Sequence, residues 1–361
     1  MNNELYITNS FFLKFAFCFF ILWDIYSIHL GKVFDLTGII LVTIYLLVNK
    51  SLRFERKHID IYYSLVGFFL FGLILTLINM HLQEFLAISI GLFTMTMFYH
   101  ASRKANFISI VEKCFYFIVF FQLVHFLYYA FFGANIVFYP TSLFNSPRNY
   151  AEDRDFFRAT GFFAEANAIV STILIFNIFT QSINYERKNI FLIISIFSNL
   201  IAKSIFGFLI IPFYLAMLSN VSFKLKLFMA SVFLIVIIYN VDLSIFLYRF
   251  ENFNEDQSFS VRLGLHSVAD NIYNLLIPSG FDVIGSSDIG INGFYFLLNT
   301  FGVLTVFLLY LKYKILGRNG FVLYILLLAT YQMYTTQLLW AFLGLILGVY
   351  NASKNKSNST S

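Results

Sequence analysis

The chain has 361 residues, of which 59% are hydrophobic and only 12% charged, where an ordinary soluble domain carries about 25% charged residues. That balance excludes a soluble domain and a disordered chain and defines a membrane protein. The net charge of +5 points to nucleic acid only until its distribution along the chain is followed.

Apolar runs near the roughly 20 residues needed to cross a bilayer recur from Phe11 to Tyr350. They predict an all-α, polytopic protein with spans at about 11–30, 34–49, 60–79, 83–100, 107–132, 160–180, 189–202, 205–219, 226–241, 293–312, 320–332 and 335–350. The first run, FFLKFAFCFFILWDIYSIHL, contains Lys14 and Asp24 and lacks a small-residue cleavage site, so it reads as a retained helix rather than a signal peptide. Cys18 and Cys114 are the only cysteines. Both lie inside apolar runs and read as core filler, specifying neither a disulfide nor a metal site.

With the N-terminus placed in the cytoplasm, 17 of the 24 basic residues fall on inner loops and inner span ends, among them Lys50, Arg53, Arg103, Arg187, Lys312 and Arg318. Lys32, Arg148, Arg154, Arg158, Lys203, Arg249 and Arg262 fall outside. This positive-inside bias predicts a multi-pass inner-membrane protein with both termini cytoplasmic. The basic surplus is therefore topological, and no nucleic-acid partner is expected.

Residues 1–350 form one membrane domain with two long outer loops, 133–159 and 242–292. In the second loop Val261, Leu265, Val268, Ile272, Leu275 and Leu276 share one helical arc, and Arg262, His266 and Asp270 another. The pattern predicts an amphipathic helix at the outer surface, ended by Pro278 and Gly280. The tail 351–361, NASKNKSNSTS, reads as polar and disordered.

The candidate site residues lie beside these loops. Arg158 precedes the sixth span and Glu165 follows seven residues later, about 10 Å along a helix, which would put both on similar faces at its outer end. An acid in the first turns is a tolerated interfacial carboxylate on one reading and a functional group on the other. Gly161, Ala164, Ala166 and Ala168 would let a helix or ligand approach closely, and Asn167 adds a polar group. Arg262 is either a solvated outer arginine or a bidentate phosphate contact, and His266 either a satisfied surface group or a base. Asp153-Arg154-Asp155 has the D-x-D form of some metal-dependent glycosyltransferases, but beside Glu152 it reads equally as a solvated charge cluster, and no metal is expected. Asp24 and His125 would either line a polar cavity or pair with helix neighbours. No P-loop, H-E-x-x-H, G-x-S-x-G or potassium-filter sequence occurs.

Four blocks in order carry a family resemblance: FRATGFFAEANAIV (157–170), SNLIAKSIFGFLIIPFYL (198–215), SVRLGLHSVADNIYNLLIPSGFDVIG (260–285) and INGFYFLLNTFGVLTVFLL (291–309). Together they resemble the bacterial O-antigen polymerase family, which shares a superfamily with the O-antigen ligases. Ala166 stands where that family commonly has proline, and the ligase-type histidine-asparagine before the tenth span is absent, Gly290-Ile291-Asn292 taking its place. The resemblance implies a GT-C-like bundle of about 12 transmembrane helices. It implies transfer of a glycan from undecaprenyl diphosphate to the end of another carrier-linked repeat unit at the periplasmic face, with Arg158 and Arg262 binding the diphosphate and Glu165 or His266 as the base. The partners implied are the undecaprenyl-diphosphate-linked oligosaccharide, the lipid bilayer and a chain-length regulator protein. No cofactor is implied, since the glycosyl diphosphate carries its own driving force. Alternatives are a secondary transporter or lipid-linked oligosaccharide flippase, against which the polar groups gather at one surface rather than the midplane, and a ligase.

Overall fold

A computed structural model describes residues 13–21, 28–48, 60–79, 82–102, 107–138, 157–163, 165–219, 221–240, 277–278, 280, 293–330 and 337–359. Among these the regular elements are helices. They are α1 (13–21), α2 (Ile28–Val48), α3 (Asp60–Ile78), α4 (Leu82–Ser102), α5 (Phe107–Phe132), α6 (Ala166–Ser182), α7 (Lys188–Ala202), α8 (Ile205–Met217), α9 (Phe223–Asn240), α10 (Gly293–Phe301), a 3₁₀ turn (Gly302–Leu304), α11 (Thr305–Thr330) and α12 (Gln337–Ser359). Within α3, α4 and α5, the stretches Ile61–Ile78, Phe85–Ser102 and Phe107–Phe132 are each long and apolar enough to cross a membrane. Their exposed side chains are large and apolar, such as Leu70, Ile74, Phe117 and Phe120, as a lipid-facing surface requires.

At the centre stands α6, where every residue from Ala168 to Gln181 is buried. A helix apolar on all sides is stable only inside a bundle, and α6 is packed by α5, α7, α8, α11 and α12. Its polar groups point to neighbours: Asn177 donates to Ser195 Oγ at 2.7 Å and to Tyr214 Oη at 3.4 Å, joining α6 to α7 and α8. Phe176 receives Phe17, Phe115 and Phe342 from three other helices, at ring-centroid separations of 6.4, 5.7 and 5.1 Å.

The tightest helix pair is α4 with α12. A Cβ added at Gly344 would collide with the Met95 carbonyl oxygen, and one at Gly348 with Ser102 Oγ. Small residues four apart let two membrane helices approach backbone to backbone, and the sequence Gly344-Leu-Ile-Leu-Gly348 is such a pair.

Several expected boundaries move. The 293–312 span is interrupted at Gly302, whose φ is 55°, and the chain resumes as α11. Within α11, Gly317 (φ 66°, ψ 177°) is non-helical. Tyr313 meets Phe321 edge-on at 5.4 Å, and Lys312 Nζ lies 5.6 Å from the Tyr324 ring centre. Twelve residues of continuous helix would separate the latter pair by about 18 Å, so the chain doubles back at Gly317 as a helical hairpin. That fold-back also carries Lys312 inward. Expected at an inner span end, its side chain is fully buried and faces the rings of Phe69 and Tyr324. The tail, expected to be disordered, is helical to Ser359. An apolar helix already formed supplies the costly nucleus, and each further residue needs only propagation. The predicted amphipathic helix over 261–276 lies outside the described residues. Downstream of it, the Gly280 N–H donates to the Thr300 carbonyl at 3.2 Å.

Candidate functional site

The sixth span was expected to begin at residue 160, but α6 begins at Ala166 and the preceding segment, Phe157 to Phe163, is not helical. Gly161 has φ +61°, and a Cβ there would come 3.0 Å from the backbone nitrogen of Gln122. The small residue does serve close approach, as the sequence implied. It does so in a turn pressed on α5 rather than in a helix.

What holds that turn is a pair of polar side chains one turn apart on α5. Gln122 Nε2 donates to the carbonyls of Ala159 and Ser198, both at 3.0 Å, and its Oε1 accepts from the Ser198 hydroxyl. The Gly161 N–H donates to His125 Nδ1 at 3.0 Å. That fixes Nδ1 as the acceptor, so Nε2 carries the proton and donates to Asn135 Oδ1 at 2.7 Å. Ala159 N–H donates to the Ile201 carbonyl at 3.2 Å. Rings close the sides: Phe157 stacks on Tyr129 with centroids 3.9 Å apart, and Phe162 stacks on Phe117 at 5.6 Å. Gln122 and His125 stand about 15 and 10 Å below the C-terminal end of α5. Irregular backbone at such depth in a membrane protein needs internal partners for its N–H and C=O groups, and these two side chains supply them.

The clamp fixes what flanks it. Arg158, half-buried, projects from a segment whose neighbours Phe157 and Ala159 are buried. Glu165 is the N-cap of α6 (φ −127°, ψ 146°), not a residue of its second turn. Arg158 and Glu165 therefore do not share a helical face as expected. They bracket a non-helical turn. At the N-cap a carboxylate sits where the helix dipole favours negative charge, which lowers the cost that made this acid conspicuous. Ala166 is the first helical residue, the position whose N–H needs no helical partner and where proline fits equally well. The departure from the family pattern at Ala166 thus leaves the helix start unaffected.

A second turn completes the cluster. After α7, Lys203 adopts the left-handed conformation (φ 47°, ψ 40°) and Ser204 caps α8. The Ser204 hydroxyl donates to Asn167 Oδ1 in the first turn of α6, while Ile201 is bonded to Ala159. Lys203 is thereby bracketed by the Arg158 segment on one side and the start of α6 on the other. Burial alone pushes its ammonium below the usual lysine range.

Of the four site residues expected from sequence, the structure places Arg158 and Glu165 at one end of the bundle. Arg262, His266 and the Asp153-Arg154-Asp155 cluster lie outside the described residues. Asp24 also lies outside the described residues, while His125, for which the sequence leaves a polar cavity and helix neighbours open, bonds Asn135 and Gly161; Gln122 and Lys203 are not singled out by the sequence as site residues. The available signal for Gln122 and His125 was two polar residues spaced i, i+3 inside an apolar run, a pattern that in a membrane helix faces the bundle interior. For Lys203 no local signal existed, because its neighbours in space come from residues 159 and 167.

Fold and composition define an all-helical membrane protein with a polar cluster at one end of its bundle. Compared with known proteins, the chain matches no family model, no curated protein and no solved structure.

Proposed function

We propose that the chain is a membrane-embedded polysaccharide repeat-unit polymerase of the O-antigen type, with about 12 spans, both termini cytoplasmic and the Arg158 end of the bundle facing the periplasm. It would move a glycan from undecaprenyl diphosphate to the end of another carrier-linked repeat unit. The observation that carries this reading is the Gln122–His125 clamp. It holds an irregular, arginine-bearing segment at membrane depth and delivers a carboxylate to the N-terminus of the most buried helix. A lipid diphosphate bound beside this segment would place its headgroup among the polar side chains and its polyprenyl chain in the bilayer.

In this reading Arg158, Lys203 and Arg262 neutralise the departing diphosphate, whose charge grows as the glycosyl bond breaks. Arginine grips it bidentately and lysine acts as a point charge. Glu165, or His266 from the second long loop, takes the proton of the attacking sugar hydroxyl. The carrier leaves as its diphosphate, and the new glycosidic bond forms on the acceptor oxygen.

A gel of surface glycan from a deletion strain tests the class of reaction. A single-repeat band is the expected result. Accumulated carrier-bound polymer with no glycan on lipid A would indicate a ligase instead, and loss of periplasmic repeats a flippase. In a complemented strain, Arg158→Ala and Arg262→Ala should reach the membrane yet abolish the long chains. An unchanged ladder removes that arginine from the site.

A further inference from the structure

The helices beside the clamp are unequal in length. α5 runs for 26 residues, whereas α7 has 15 and α8 has 13. Two contacts fix the height of α7 against α5. Arg187, the N-cap of α7, pairs with Glu112 at 3.0 Å, and further along the Ser198 carbonyl accepts from Gln122 at 3.0 Å. Ten residues separate the two contacts on α5 and eleven on α7, so the helices rise in the same direction and nearly in register. Lys203, five residues past Ser198, is therefore level with Leu127, and α5 continues five residues beyond that level to Phe132, about 7 Å. Leu127, Phe131 and Phe132 are exposed, so hydrocarbon suits α5 up to its tip. Along α7 it must stop at Lys203.

Both short helices face lipid. Ile190 and Phe197 on α7, and Leu209 and Phe213 on α8, are exposed and spaced so that each pair shares one stripe. Basic residues bound these stripes: Lys203 at one end, and Arg187, Lys188, Lys224 and Lys226 at the other. The apolar length of α7 is about 22 Å, against roughly 30 Å for a bilayer's hydrocarbon core. Tilting would only shorten its reach, and the two contacts with α5 prevent it from sliding.

We propose that the α7–α8 face is a lipid-interaction surface that thins the bilayer beside it, drawing phospholipid phosphates down to Lys203. The membrane is the partner that yields, because a short span is met by local thinning at modest cost per ångström. A flat bilayer would instead immerse the Lys203 ammonium and the turn at 203–204 in hydrocarbon, where charge and irregular backbone are expensive. Thinning needs only that the chain crosses a bilayer. Under the polymerase reading it would also let an anionic carrier headgroup reach the Arg158 segment from the side.

Nitroxide labels on the full-length protein in dioleoylphosphatidylcholine vesicles test this, with oxygen and a nickel chelate reporting depth. Labels go singly at the exposed positions Phe197 and Leu123, through Phe197→Cys and Leu123→Cys in a Cys18→Ala, Cys114→Ala background. Phe197 stands slightly lower on the molecule than Leu123, so a flat bilayer would immerse it about 2–3 Å deeper. Thinning reverses the order, and the Phe197 label should be shallower by about 4 Å. Leu209→Cys repeats the reading on α8. In dimyristoleoylphosphatidylcholine, whose thinner core matches α7, the order should revert. A Phe197 label deeper than or level with the Leu123 label in the dioleoyl lipid, or a reversal that persists unchanged in the thin one, would overturn the proposal.

Discussion

Replacing Gln122 with leucine tests whether the clamp holds the Arg158 segment, because the two side chains are close in size and differ mainly in hydrogen-bonding capacity. The glutamine amide serves the Ala159 carbonyl, the Ser198 carbonyl and the Ser198 hydroxyl. These three groups do not suffer equally. The Ser198 carbonyl lies within α7, four residues before Ala202, and keeps a helical donor. The Ser198 hydroxyl can rotate to a carbonyl of the preceding turn, as serine commonly does in membrane helices. Only the Ala159 carbonyl is stranded, at about 1–3 kcal/mol for a buried unsatisfied acceptor, with about 1 kcal/mol more for the displaced hydroxyl. Gln122→Leu should therefore destabilise by roughly 2–4 kcal/mol, and Ser198→Ala by about 1. The two should be non-additive by about 1 kcal/mol in a double-mutant cycle, since they share a bond. Thermal unfolding in a fixed detergent measures the wild type, the two single variants and the double variant. Glycan chain length in a complemented strain should fall with Gln122→Leu, because Arg158 sits one residue from the stranded carbonyl. A leucine variant as stable as the wild type, or simple additivity, would refute the clamp.

Gly344→Leu should cost well over 1–3 kcal/mol, the usual range for overpacking, since the obstacle is the Met95 backbone rather than a mobile side chain; yield of monodisperse protein after detergent extraction reports it. Lys312→Met should be neutral or stabilising. A lysine at membrane depth costs about 2.5–3.5 kcal/mol, two ring faces return about 1–2 each at most, and methionine fills the same channel with no polar atom. Lys312→Asp, which turns the ring faces from attractive to repulsive, should prevent accumulation in the membrane. For Lys203 the folded-state value lies below the ordinary 10.5, so the native state binds fewer protons than the unfolded chain in the interval between them. Stability should rise as pH climbs through that interval, and Lys203→Met should flatten the rise. A bound diphosphate favours the charged form, so binding of a short-chain polyprenyl diphosphate should weaken toward alkaline pH in the wild type and lose that dependence in the variant.

Composition decided that this is a membrane protein, because so few charges cannot cover a water-exposed surface; the length of the apolar runs decided that it is helical, and hydropathy located α3, α4, α5 and α7 to within two residues. Those helices are marked by the length of an apolar run, a property local to the sequence. Where a boundary depends on a partner from far along the chain, local pattern fails. FRATGFF is as apolar as a helix start, yet it turns, because His125 and Ile201 offer its N–H groups better partners than its own preceding carbonyls. The same holds for Lys312, which hydropathy placed at a span end and the Gly317 hairpin folds inward, and for Lys203, whose neighbours come from two other segments. The sequence could name the chemical groups, arginine and glutamate beside an outer loop. Which groups come to lie around them followed from helix packing, since contacts between residues tens of positions apart leave no periodic trace in either one.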